Sequence, residues 1–310
     1  MTAQLLNDIV SAFVAALEGG AVTLGQYSFD LLAIAATLAF YFQVGPQVAH
    51  GGVGVGDALA GFLLLAIKIA VTFWLVLMLP DLARAAFDTF AQWGTAVSGA
   101  GFTRQDFLSP AVIVDTGFIL ARPVRDFTTN VVNFFTNDIG TLIAYQIAYY
   151  AILIGFFLVA LHVMMVIIEF NLAVLVATVL LPWAVFPALS FYADFVVAWL
   201  TGALVRVLLT AATVSIGLPL FRNLQFTLSS GGDPTFYSGL LVGGTAVLFA
   251  VLAWVLPSRA AAIAGRGVSL GLTGSDAIAG AATGARFATL GVRLPLAAYR
   301  AVSPILKAAL

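Results

Sequence analysis

Long uncharged apolar stretches recur along the whole chain. The longest, Thr141–Ile168, has 28 residues without Asp, Glu, Lys or Arg. A helix needs roughly 20 apolar residues to cross the hydrocarbon core of a bilayer, so this stretch can span one. The pattern predicts an all-α polytopic membrane protein. Five further stretches share this character, and the longer ones contain at most one ionisable group: Leu31–Val44, Gly61–Leu79, Leu172–Leu189, Phe195–Leu220 and Gly239–Leu256.

Composition supports the same class. Hydrophobic residues make up 62% of the chain and charged residues 9%, where an ordinary soluble domain has about 25% charged residues. So few charges cannot cover a water-exposed surface, and lipid must solvate much of the protein. The uncharged stretches are far longer than barrel strands, which disfavours a transmembrane β-barrel. The absence of cysteine excludes a disulfide framework, thiol catalysis and a thiolate metal site.

The spacing of apolar and helix-breaking residues predicts five parts. They are residues 1–20, an N-terminal amphipathic helix; 21–79, transmembrane helices 1 and 2; 80–140, a periplasmic segment of amphipathic helices; 141–256, the transmembrane core; and 257–310, a basic Gly/Ala-rich cytoplasmic tail.

Glycine and proline are expected to set the helix ends within this plan. Gly19-Gly20 would end the N-terminal helix, and Pro80 would close transmembrane helix 2. A separate helix is then expected over Asp81–Trp93. Ser109-Pro110 is a typical helix start for Ala111–Ala121, and Pro123 would interrupt the helical pattern after that helix.

The charge distribution predicts how the chain is oriented. From Ser258 to Leu310 six basic residues face one acid, a charge of +5, and the remainder carries −6, which together give the net −1. Segments rich in Lys and Arg stay on the cytoplasmic side. We therefore expect the C-terminus on the cytoplasmic side, and the acidic N-terminus and the segment from Pro80 to Gly140 on the opposite side.

Opposite sides for the two termini require an odd number of crossings, whereas six apolar stretches are present. Leu172–Leu189 is the best candidate for a re-entrant or kinked segment, because Pro182 and Pro187 flank Trp183 within it. About five transmembrane helices is the preferred count. Six remains the alternative, with one terminus on the other side.

Charges inside the apolar stretches are costly in lipid and usually face the protein interior. Lys68 and Arg206 lie near the middles of their stretches, at similar predicted depth. Asp30 is expected nearer the outer face, and Glu169 and Asp194 nearer the inner face. In one interpretation Lys68 pairs with Asp30 between adjacent helices. In the other, Lys68 or Arg206 lines a polar, anion-tolerant path formed in an oligomer.

Signals for catalysis are weak. Gly267–Gly271 matches the G-x-S-x-G string, but that motif needs a strand before it and an acid and a histidine after it. No histidine follows the match, which lies in a Gly/Ala-rich tail. His162 is a lone histidine in an apolar helix and is expected to pack or hydrogen-bond rather than bind a metal. No P-loop or Cys/His metal spacing is present. We expect no enzyme activity, no metal and no cofactor, and we expect bound phospholipid.

Basic residues follow one another regularly in the tail. Such a segment most often lies on anionic lipid headgroups, with nucleic-acid phosphate as the other polyanion it could meet. Gly239, Gly243 and Gly244 give a small-xxx-small spacing that is compatible with a homo-oligomer. The basic residues of the tail are Arg259, Arg266, Arg286, Arg293, Arg300 and Lys307, the last four spaced by sevens.

The order of these parts resembles the TrbL family of conjugative type IV secretion systems. The likeness covers about residues 1–256. Its clearest part is Val166–Leu172, where the residues Glu-Phe follow a long apolar helix. This segment leads into Leu180–Phe186, which contains Leu-Pro and aromatic residues. Leu108–Ile113, followed by Gly117 and Ala121-Arg-Pro123, also looks like the family's middle region. Many relatives have a longer cytoplasmic tail.

The resemblance implies an inner-membrane channel or scaffold subunit of a translocation machine. It implies about five spans, a periplasmic N-terminus and a homo-oligomeric platform beneath a periplasmic stalk. Other inner-membrane and stalk subunits, cytoplasmic secretion ATPases and membrane lipids would be partners, with transient contact to transferred DNA or protein. The alternative is a small-molecule or ion transporter, which predicts an internal repeat and paired broken helices. An intramembrane enzyme would need a catalytic set that the sequence does not offer.

Overall fold

The computed structural model describes residues 2–43, 45, 55–99, 101–129, 139–229 and 236–264, and regular structure in these ranges is entirely helical. This confirms the all-α fold. In chain order the helices are α1 (Thr2–Gln43), α2 (Val55–Ala96), α3 (Arg104–Phe107), α4 (Pro110–Thr129), α5 (Ile139–Leu180), α6 (Phe191–Ser229) and α7 (Phe236–Ala264), with two 3₁₀ segments, Leu181–Val185 and Pro187–Leu189, between α5 and α6.

Within the described residues, five helical segments are long and apolar enough to cross a membrane, which confirms the preferred count. The stretch Leu172–Leu189 does not span by itself, because its first half completes α5 and its second half forms the 3₁₀ corner. Pro182 is buried in the first 3₁₀ segment, so protein surrounds that part of the irregular backbone as expected, whereas the second segment, Pro187–Leu189, has no buried residue. The five spans are Gln4–Gln43, Leu59–Ala96, Ile139–Val185, Pro187–Phe221 and Leu240–Ala262.

The N-terminal helix does not end at Gly19-Gly20, contrary to expectation. α1 runs without interruption over 42 residues, about 63 Å at 1.5 Å per residue. A glycine inside a helix costs roughly 1 kcal/mol relative to alanine, and packing offsets that cost here. A Cβ on Gly20 would lie 3.2 Å from Leu175 Cδ1, so this part of α1 lies against α5.

Two prolines expected to break helices lie inside them instead. α2 continues through Pro80 to Ala96, so Asp81–Trp93 is not a separate helix. α4 begins at Pro110, as predicted, but continues through Pro123 to Thr129. A proline removes one helical hydrogen bond, and buried neighbours on both sides compensate for this loss, such as Val76 and Ala83 around Pro80.

α1 and α2 form an antiparallel hairpin with a constant register. In three contacts between them, the residue numbers add up to 102, so residues with this sum lie at the same level. The contacts are Phe40–Phe62 and Phe29–Phe73, with ring centroids 6.4 and 5.3 Å apart, and the Glu18–Arg84 ion pair.

α5 is the central helix of the bundle and contacts α1, α4, α6 and α7. Small residues allow close approach to α7: a Cβ on Gly155 would lie 2.9 Å from the Ala246 carbonyl oxygen, and one on Gly243 would lie 2.9 Å from Ala148 Cα. Gly243, part of the predicted small-xxx-small spacing, is therefore used within the chain.

Candidate functional site: a layer of ion pairs across the bundle

Three ion pairs each connect two helices that follow one another in the chain: α1 with α2, α2 with α3, and α5 with α6. The Phe87 and Phe170 rings, with centroids 5.0 Å apart, bring α2 and α5 together. Each pair includes a residue within three positions of Phe87 or Phe170, about 5 Å along a helix. The pairs therefore share one level, and we call them the charged layer. They are Glu18–Arg84, Asp88–Arg104 and Glu169–Arg206.

The Glu169–Arg206 pair is the most enclosed of the three. The Glu169 side chain is 34% exposed and that of Arg206 is 25% exposed. His162, two turns earlier on α5, is buried, and its ring lies 5.1 Å from that of Trp254 on α7. Among the described residues, His162 Nε2, Arg206 Nε and Thr210 Oγ1 are buried without a hydrogen-bond partner. This region thus holds more polar groups than the pair itself satisfies.

The other two pairs lie beside a cavity of about 450 Å³ between α1, α2 and α5. Apolar side chains such as Val14 and Val174 form much of its lining, and Arg84 and Asp88 also line it. Arg104 reaches Asp88 from α3, whose start is fixed by a reciprocal capping box between Thr103 and Asp106. Short local signals in the sequence thus position one member of the charged layer.

Asn7 connects the N-terminus of α1 to the start of α4. Its side-chain amide donates to Ser109 Oγ at 2.6 Å, and its carbonyl oxygen accepts from the Ala111 backbone N–H at 3.1 Å. The first N–H groups of a helix have no partner within the helix, so Asn7 supplies one from 104 residues away.

Replacing Asn7 by alanine should lower stability by about 1 kcal/mol, the typical cost of losing a helix-capping acceptor. Thermal unfolding of the purified protein in detergent would measure this change. Asn7→Asp keeps the acceptor for Ala111 and is the matched control, so it should lose less. Equal losses in both variants would show that the contact with Ala111 is not the stabilising one.

Of the five charged residues predicted to form an intramembrane polar path, the structure brings Glu169 and Arg206 together as a direct ion pair. Asp194 lies in the first turn of α6, where the helix dipole favours a negative charge. Lys68 lies 19 residues from Phe87, about 28 Å along α2 from the charged layer. The structure thus separates Lys68 from Arg206 instead of placing both at similar depth.

Lys68 and Asp30 do not form the expected pair within the part of the chain that the structure describes. Neither residue takes part in the ion pairs of the charged layer. Arg259 is exposed on α7. The other five basic tail residues, from Arg266 to Lys307, lie outside the described residues, as does the string Gly267–Gly271.

Sequence reasoning missed most of the charged layer. Arg84, Asp88 and Arg104 were assigned to a periplasmic segment without roles of their own, and Asn7 to an amphipathic helix. The capping box at Thr103 could have located α3, but nothing local indicates that Arg104 meets Asp88. The charges themselves were the available signal. A lone charged residue beside long apolar stretches usually has a partner, so each of these residues could have been predicted to form an ion pair.

Comparison with known proteins identifies the family. The TrbL/VirB6 plasmid conjugal transfer protein family matches residues 34–256, well over half of the chain. The match covers four of the five long helices fully or nearly so, together with the 3₁₀ corner and Glu169–Arg206. No individually curated protein matches the chain. The part of the chain that the structure describes has five helices able to span a membrane. The chain belongs to the TrbL/VirB6 family and is a multi-pass membrane subunit of a conjugal transfer, type IV secretion apparatus.

Proposed function

We propose that this chain is a channel and scaffold subunit in the bacterial inner membrane, on which a periplasmic stalk is built. The observation that carries the proposal is the length of the helices. α1, α2 and α5 each have 42 residues, about 63 Å, and a hydrocarbon core is about 30 Å thick. These helices extend beyond the membrane, where other secretion subunits can contact them.

Deletion and complementation in a donor cell test this role. Without the chain, conjugal transfer should fall to the background level, and the intact chain should restore it. Formaldehyde cross-linking during transfer, followed by precipitation of the chain, asks whether the transferred DNA passes beside it. Lost transfer with cross-linked DNA supports a channel. Lost transfer without cross-linked DNA would contradict the channel role and leave the scaffold role. Unchanged transfer in the deletion strain would contradict both roles.

In the proposed orientation the N-terminus and residues 80–140 are periplasmic, and the basic tail lies in the cytoplasm near the secretion ATPases. The cysteine-free chain makes this testable with single cysteines. Val97→Cys, an exposed position after α2, should react with a membrane-impermeant maleimide in spheroplasts. Ser303→Cys should react only after the membrane is permeabilised. The reverse labelling pattern would invert the proposed orientation.

The exposed apolar side chains of the spans should retain phospholipid through gentle purification, and native mass spectrometry would detect it. We propose no other cofactor and no catalytic step, in keeping with a family of structural transfer subunits. A small-molecule transporter would have paired broken helices. Among the described residues, the 3₁₀ corner between α5 and α6 is the one such break within the spans, which does not favour that alternative.

A further inference from the structure

Asp30 and Lys68 are two opposite charges on the apolar α1–α2 hairpin, and neither has a partner among the described residues. Between Glu18 and Asp57, Asp30 is the one Asp, Glu, Lys or Arg residue, and Lys68 is the one between Asp57 and Asp81. Neither has a hydrogen bond or ion pair to any residue that the structure describes. Charged groups in such surroundings are costly unless they pair, so each requires a partner from outside the described chain.

The hairpin register places the two charges at nearly the same level. Because residue numbers at one level add up to 102, Lys68 is level with residue 34 of α1. Asp30 is four residues from that position, about 6 Å along the helix. A lysine side chain is long enough to cover this distance.

The two charges nevertheless lie on different sides of the hairpin. Asp30 is midway between Ser28 and Leu32, which are one turn apart and both buried, so it lies on the opposite, exposed side of α1. Lys68 is about 120–140° around α2 from Phe62 and Phe73, the residues that contact α1. One copy therefore cannot join Asp30 to Lys68.

The surface around Asp30 is apolar and uncovered. Lys68, by contrast, is half-buried at the edge of the covered face of α2, where Leu65 and Thr72 are buried. Ile34, one turn from Asp30, is 52% exposed, and Leu64, one turn from Lys68, is 69% exposed. A covering partner must therefore offer apolar side chains and one opposite charge at this depth. A second copy of the chain offers both, since each side of the hairpin carries the charge that the other side lacks.

We propose that Asp30 of one copy pairs with Lys68 of the next, in a head-to-tail contact between α1–α2 hairpins. Rotation about an axis normal to the membrane keeps every residue at its depth, so the 6 Å offset is preserved between copies. A contact between two different surfaces repeats from copy to copy and closes into a ring when the rotation permits it. This inference deepens the proposed scaffold role and rests on it for the presence of several copies.

Reversal of one charge at a time tests the contact in full-length protein. Asp30→Lys places two lysines opposite each other, and Lys68→Asp places two aspartates opposite each other. Co-purification of two differently tagged copies of either variant should fall at least about tenfold below wild type, because like charges opposite each other are strongly unfavourable. The double variant Asp30→Lys/Lys68→Asp should restore it.

A mixture of the two single variants distinguishes contact between copies from contact within one. In the mixture, the lysine introduced at position 30 of one variant meets the aspartate introduced at position 68 of the other. Tagged Asp30→Lys should therefore retain Lys68→Asp, although neither retains its own kind. Rescue by the double variant without rescue by the mixture would place the pair inside one copy. Undiminished self-association of the single variants would contradict the proposal and leave lipid headgroups or another subunit as the partner.

Neutral variants give a second measurement if charge reversal prevents membrane insertion. Asp30→Asn and Lys68→Met each leave one charge unpaired, whereas the double neutral variant leaves none. Co-purification should therefore be weaker in each single variant than in the double variant. If the losses of the two single variants simply add in the double variant, the proposed Asp30–Lys68 pair is contradicted. Ile67→Lys, on a neighbouring exposed position of α2, is the control for a misplaced charge. If deletion of the chain leaves conjugal transfer unchanged while these variants behave as expected in co-purification, the proposed function is contradicted and the contact between copies is not.

Discussion

Replacing Gly94 by alanine should destabilise the protein by about 1–3 kcal/mol, although alanine is the better helix former. Gly94 lies in the last turn of α2, where α2 crosses α6. A Cβ there would meet the Leu208 carbonyl oxygen and would lie 2.6 Å from Ala211 Cβ. These atoms belong to the backbone and the rigid first carbon of α6, so the helices must separate to accept it.

The same crossing includes a hydrogen bond that separation would break. Ser215 is fully buried and donates from Oγ to the Gly94 carbonyl oxygen at 3.2 Å. Its loss adds to the packing cost, and Gly94→Val should accordingly reduce the yield of folded protein more than Gly94→Ala. Thermal unfolding in detergent and the monodisperse fraction after extraction measure both effects.

Gly25 provides the control for this prediction. It also lies inside a helix, but no atom would lie within 4 Å of an added Cβ. Gly25→Ala should therefore stabilise the protein by up to about 1 kcal/mol through helix propensity alone. The prediction is an opposite sign for the same substitution at two positions. A loss at both sites, or at neither, would show that the close crossing does not limit stability.

The sequence was sufficient for the helices but not for their ends. Apolar stretches of 20 or so residues predict spans because lipid leaves few alternatives to a helix, and five spans were expected and found. Pro80 and Gly19-Gly20 were treated as ends because each disfavours a helix locally. Tertiary packing outweighed these local costs of a few kcal/mol at most, and no short-range pattern reveals that packing.

Pairing of the charged residues could be predicted only in part. Glu169 and Arg206 were both singled out, but their contact depends on the length of the corner from Leu181 to Ser190, which sets the register of α5 against α6. The hydrogen bond from Asn7 to Ser109 joins residues 102 positions apart, and no pattern in the sequence indicates it. Asp30 and Lys68 were expected to pair because they lie on adjacent helices, and their separation depends on the angle around each helix.

Replacing Arg206 by methionine should lower stability by about 3 kcal/mol, the lower end of the range for breaking a buried ion pair. The lower end applies because the two side chains remain about a quarter to a third exposed. Methionine keeps much of the side-chain volume, so the main change is that Glu169 stays in the bundle without its cation. Chemical denaturation in detergent, compared with wild type at one pH, measures the loss.

The double variant Glu169→Gln/Arg206→Met separates the ion pair from packing. If the loss in Arg206→Met comes from an uncompensated carboxylate, removing that charge should restore part of the stability, so the double variant should be more stable than the single one. If Arg206 mainly fills space between α5 and α6, the two substitutions should add. The reversed variant Glu169→Arg/Arg206→Glu extends the test, because it keeps both charges at one level. This variant should be more stable than Arg206→Met. Recovery in both variants would establish that this charged contact, rather than the volume of one side chain, fixes α6 against the central helix.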